Sequence, residues 1–71
     1  MDKIPMKAVR AIKGWTQQDL ADKMGVSRAT VNRWEQGKLR VKPIYMFKFC
    51  SITGFKEEDI FLPEIATNRS A

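Results

Sequence analysis

One stretch limits the fold more than any other: TQQDLADKMGVSRATVNRWEQGK, residues 16 to 38. It holds two helix starts and two helix stops in quick succession. Thr16 is a strong N-cap residue, and Asp19 stands three positions on, in capping-box register. Trp15 before the cap and Leu20 after it have the spacing of a hydrophobic staple. Leu20, Ala21 and Met24 then form an apolar stripe, and Gly25 supplies a left-handed stop. Ser27 repeats the device for a second helix, with Val26 and Val31 as its staple and Gly37 as its stop. Two short helices joined by so tight a turn must pack against each other at a fixed angle.

The flanking sequence adds helices on either side. Met6, Val9 and Ile12 recur at helical spacing, which predicts a first helix from about Pro5 to Lys13, ended by Gly14. Pro43 opens a fourth helix that buries Met46, Phe49, Cys50 and Thr53 and stops at Gly54. Glu57, Glu58 and Asp59 suit the N-terminus of a short fifth helix reaching Phe61, which Pro63 ends. No period-2 alternation and no hairpin turn signal a strand. The expectation is a single all-α domain over residues 4–62 and a short tail over 63–71.

The helix-turn-helix spacing has a physical use. A third helix held at the surface fits the DNA major groove. Arg28, Ala29, Asn32 and Arg33 share one side of it, at i, i+1, i+4 and i+5. Arg28 and Arg33 suit guanine O6 and N7. Asn32 suits an adenine edge, and Ala29 a thymine methyl. Gln17, at the first turn of the second helix, suits a phosphate, as do Ser27 and Gln36 more weakly. The basic run Lys38-Leu39-Arg40-Val41-Lys42 is placed to follow the DNA backbone with Lys38, Arg40 and Lys42.

Charge agrees. The chain carries +5 overall. Residues 1–42 hold ten Lys/Arg against four Asp/Glu (+6), and residues 43–71 hold three against four (−1). A basic half is the footprint of a polyanion binder. Its basic residues share short helices with Gln, Asn and Thr, which favours nucleic acid over a membrane surface. Double-stranded RNA is disfavoured, because its narrow major groove excludes a helix. The inward register of Trp15 and Trp34 marks them as core, not as platforms for single-stranded bases.

Other classes are poorly served. No apolar run approaches the roughly 18–20 residues of a membrane span, and the N-terminus has no signal-peptide apolar region. There is no histidine, and the single cysteine, Cys50, has no partner for a disulfide or metal site. Cys50 sits in a Met/Phe stripe and suits a small core position in a reducing compartment. The three consecutive acids diverge around a helix. No enzyme activity, metal, cofactor or small-molecule ligand is expected.

These motifs resemble the Xre family of helix-turn-helix proteins, the lambda-repressor-like DNA-binding domains, and in particular the small Cro and repressor proteins of phages. The likeness covers about residues 5–62. It is carried by Arg10, Thr16-Gln17, Leu20-Ala21, Gly25-Val26-Ser27, Val31 and Trp34-Glu35-Gln36-Gly37-Lys38. The resemblance implies a compact five-helix fold, a structural ion pair between Arg10 and Glu35, and dimeric binding to a palindromic operator. The expected role is a cytoplasmic transcriptional regulator at the bacterial nucleoid, of phage, prophage or bacterial origin, acting as a repressor. Phe55, Ile60, Phe61, Leu62 and Ile65 crowd a short apolar segment and are the expected homodimer contact. A restriction-modification controller, an antitoxin autoregulator, or a protein-interaction module that keeps the fold without the readout are the alternatives.

Overall fold

The computed structural model describes residues 2–62. A two-residue strand β1 (Ile4–Pro5) leads into four helices: α1 (Met6–Lys13), α2 (Gln17–Met24), α3 (Arg28–Gln36) and α4 (Pro43–Thr53). A single 3-10 turn (Glu57–Asp59) and strand β2 (Ile60–Phe61) follow. The two strands pair in parallel, Ile4 with Ile60 and Pro5 with Phe61, so the two ends of the described chain are tied together.

The local signals place α2 and α3 where the caps stand. The Thr16 side chain accepts from the Asp19 backbone N–H at 3.0 Å, and the Asp19 carboxylate accepts from the Thr16 backbone N–H at 2.9 Å. Gly25 follows at φ +73°, with no atom near enough to obstruct a Cβ, so backbone conformation and not space calls for glycine there. Ser27 Oγ accepts from the Thr30 backbone N–H at 3.1 Å. Trp15 and Val26, the residues before these caps, pack half-buried against the core.

The core gathers one face of every helix: Met6 and Val9 from α1, Leu20, Ala21 and Met24 from α2, Val31 and Trp34 from α3, Met46 and Phe49 from α4, with Val41 and Ile60. Ala21 has no exposed surface, as the close α2–α3 crossing requires. Thr53 is a buried polar residue of α4. Its hydroxyl donates to the Phe49 carbonyl at 2.8 Å and accepts from the Phe55 N–H at 3.3 Å.

Four sequence expectations need correction. The fifth helix is one 3-10 turn, because Ile60 and Phe61 pair with β1 and take extended backbone. The fold is therefore mostly helical with a small sheet, and not purely α. Pro5 caps α1 from an extended conformation (φ −72°, ψ 155°) and does not begin it. Ile12 is 64% exposed. At about 100° per residue, six positions carry it roughly 120° around from Met6, off the buried stripe. Cys50 is half-buried, with its thiol 3.9 Å from Met46 Sδ.

The expected dimer segment also divides. Ile60 is only 4% exposed and belongs to the core, and Phe55 packs half-buried against it. Phe61 and Leu62 remain exposed, at 49% and 37%. Ile65 and the tail over 63–71 lie outside the described residues. A second exposed apolar pair, Ile44 and Phe47, lies on α4, a helix apolar on nearly all sides.

Candidate nucleic-acid interface

The site is built on α3 and the loop behind it. Gly25 lets the chain reverse within a few residues, and the Val26 N–H bonds the Ala21 carbonyl at 3.0 Å. Val31 and Trp34 then anchor the inner side of α3 in the core. With that side fixed, Arg28, Ala29 and Arg33 are exposed and Asn32 is half-buried. Of the charged residues on α3, Glu35 turns inward, which leaves the outer side of the helix positive.

Arg28 stands at the first helical position of α3, and the first turn holds no acid. A cation there opposes the helix dipole, at a cost of about 0.3–1 kcal/mol. A helix tuned for stability alone would carry Asp or Glu at that end. Arg28 instead adds to the positive potential that an incoming polyanion meets.

The loop after Gly37 is pinned at one point. Val41 is buried, while Lys38, Arg40 and Lys42 are all exposed. Alternation around one buried residue turns Arg40 and Lys42 outward. Trp34 packs against Tyr45 of α4 in a tilted arrangement, with ring centroids 5.3 Å apart and planes at 49°, joining α3 to α4 beneath this loop. Tyr45 lies in the same apolar run as Met46 and was invisible as a contact until the helices were placed.

Inside the site runs a chain of polar side chains. Arg10 donates to Glu35 from Nε (2.7 Å to Oε2) and Nη2 (3.2 Å to Oε1), and from Nη1 to the Trp15 carbonyl at 2.9 Å. The Arg10 and Glu35 side chains are 13% and 3% exposed. Gln17 Nε2 donates both to Glu35 Oε1 (3.0 Å) and to Asn32 Oδ1 (3.2 Å). Gln36 Nε2 donates to the same Asn32 oxygen at 3.4 Å. The Gln17 amide nitrogen, expected at a phosphate, is thus turned inward; its main-chain N–H at the first turn of α2 remains the group suited to an anion. Ser27 likewise has its hydroxyl engaged as the α3 cap and with Thr30 Oγ1 at 3.0 Å. The family resemblance implied the Arg10–Glu35 pair, but not its extension through Gln17 to Asn32.

Two lysines approach the Trp15 ring: Lys23 Nζ lies 4.8 Å and Lys13 Nζ 5.9 Å from its centroid. Among the described residues no helix is long and apolar enough to cross a membrane. No group of three or more His, Cys, Asp or Glu side chains among them converges as a metal site.

Comparison with known proteins agrees with this geometry. Residues 6–60 match a family described as Helix-turn-helix. The chain is 44% identical over 59 residues to an uncharacterized HTH-type transcriptional regulator of Methanocaldococcus jannaschii, covering 83% of this chain and 89% of that protein. No solved structure matches significantly.

Proposed function

The chain belongs to the Xre-like helix-turn-helix family of DNA-binding transcriptional regulators, and we propose that it is a Cro-like repressor that binds a palindromic operator as a homodimer. The observation that carries this reading is the outer side of α3. Arg28, Ala29 and Arg33 are exposed there with no acid among them, on a helix whose other side is locked into the core. Arg28 and Arg33 read base edges with their forked guanidinium groups, and Ala29 lies against a thymine methyl. Lys38, Arg40 and Lys42 follow the phosphate backbone, joined by Gln36, the Ser27 turn and the main chain of Gln17. Occupancy of promoter DNA blocks polymerase by itself, so repression asks nothing beyond this surface. The protein acts in the cytoplasm, on the nucleoid, without a small-molecule ligand.

One recognition helix spans too few base pairs to find an operator, so a second copy of the chain supplies the other half-site. The exposed pair Phe61 and Leu62 lines a groove with Lys3, Glu57 and Glu58. An apolar centre flanked by both charge signs is self-complementary across a two-fold axis.

The test is a double variant. Arg28→Ala/Arg33→Ala, still folded by circular dichroism, should lose sequence-selective duplex binding in a fluorescence titration. Retention of wild-type selectivity would remove α3 from the reading.

A further inference from the structure

The polar chain at the α2–α3 junction has a direction imposed by its chemistry. Glu35, ion-paired to Arg10, offers acceptors only. A Gln17 side chain bonded to Glu35 must present its NH2 group, and it does so at 3.0 Å. The second hydrogen of that group goes to Asn32, which must answer with Oδ1, at 3.2 Å. Gln36 donates to the same oxygen at 3.4 Å. An amide oxygen has two lone pairs, and both are engaged. Asn32 is left with Nδ2–H donors alone to face outward.

We infer that Asn32 is a donor-only reader that selects guanine, with Gln17 as the residue that positions it. Guanine sets two acceptors, N7 and O6, side by side in the major groove. Adenine sets an N6–H2 donor beside N7, and its two-point contact with asparagine needs the Oδ1 acceptor that Gln17 and Gln36 occupy. The adenine contact suggested by residue type is therefore replaced. The inference rests on α3 reading the major groove as proposed above. Within that reading it assigns specificity to a side chain of α2 that acts through Asn32: the Arg10–Glu35 pair fixes Gln17, and Gln17 fixes which way round the Asn32 amide stands.

Selection of bound sequences from random duplex DNA, run with wild type, Asn32→Ala and Gln17→Ala, tests it. Wild type should select guanine at one position in each half-site, and Asn32→Ala should flatten that position alone. Gln17→Ala should gain adenine there while the positions read by Arg28 and Arg33 keep their preference. Replacing that guanine by 7-deazaguanine should weaken wild-type binding about tenfold. Adenine selected by wild type, or an Asn32→Ala profile identical to wild type, overturns the inference and leaves DNA reading intact. Absence of any selected sequence with wild type removes the DNA reading and the inference with it. A readout without DNA guards against a misfolded variant. In the free wild-type protein the side-chain amide protons of Gln17 should exchange with water more slowly than those of Asn32, and the reverse order would also overturn the inference.

Discussion

Arg10 on α1 and Glu35 on α3, 25 positions apart, meet through two parallel hydrogen bonds of 2.7 and 3.2 Å, with the Glu35 side chain only 3% exposed. A buried pair of this kind adds little net stability, yet it fixes how α1 and α3 sit against each other. Arg10→Met leaves the Glu35 carboxylate buried without its counter-charge and should cost about 3–5 kcal/mol. Total stabilities of about 5–15 kcal/mol are usual, so this is a large share of the whole. Arg10→Met/Glu35→Leu should recover most of the loss. Urea denaturation of both variants checks this, and a single variant with a wild-type midpoint would count against it.

If Arg28 reads a base edge as proposed, it trades helix stability for binding. Arg28→Ala should cost about 1–3 kcal/mol at the cognate site and relax one base position per half-site. Arg28→Glu should abolish binding and yet raise folding stability by about 0.3–1 kcal/mol, since it places an acid at the helix N-terminus. Lys42→Ala should act differently, weakening cognate and random duplexes alike and lowering the salt slope by about 0.9. Salt titrations on both duplexes separate the two roles; a Lys42→Ala loss confined to the cognate site would reassign that residue.

The capping box makes α2 sensitive to acid. The Asp19 carboxyl is held below its ordinary value of 3.8, first by the Thr16 backbone N–H, then by the Thr16 hydroxyl, with Lys23 adding attraction. A folded-state value below the unfolded one means that the contribution is complete above about pH 3.8 and is lost as pH falls through the folded value. Thr16→Ala removes the hydroxyl cap and should cost about 1 kcal/mol at neutral pH. Asp19→Asn should flatten the acid limb of the stability curve. Thermal melts from pH 2 to 7 would show it, and an unchanged acid limb in Asp19→Asn would contradict the assignment.

Burial, then the nearby Glu57 charge, pushes the Cys50 thiol up from its ordinary value. Little thiolate exists at pH 7, so Cys50 in the folded protein should react with iodoacetamide far more slowly than in urea. Equal rates in the two conditions would mean that α4 opens readily at this point.

The proposed pairing with a second copy should be lost when the exposed Phe61–Leu62 patch is charged. Leu62→Glu should leave the monomer folded and abolish cooperative occupation of two half-sites, whereas Phe47→Glu should not. Sedimentation and palindrome titrations decide between them; loss of cooperativity in Phe47→Glu alone would move the contact to the Ile44–Phe47 side of α4.

The α2–turn–α3 unit was legible because its signals are local. Thr16, Asp19, Gly25 and Ser27 each act within four residues of themselves, and no distant contact is needed to read them. The β1–β2 pair was not legible. Two-residue strands have no period to detect, and Ile60 chooses between core and surface only when Ile4 is beside it. The same limit hid the Asn32 orientation. Its partner Gln17 is 15 positions away, and the polarity passes through Glu35. Ile12 misled for a simpler reason: a three-residue repeat drifts around a helix whose true period is 3.6.

Whether α3 reads duplex DNA as one half of a symmetric pair is decided by selection of bound sequences from random duplex DNA. A symmetric pair should select an inverted repeat whose half-site centres lie one helical turn apart, roughly 34–36 Å. A single asymmetric site, or enrichment of no sequence at all, would contradict it.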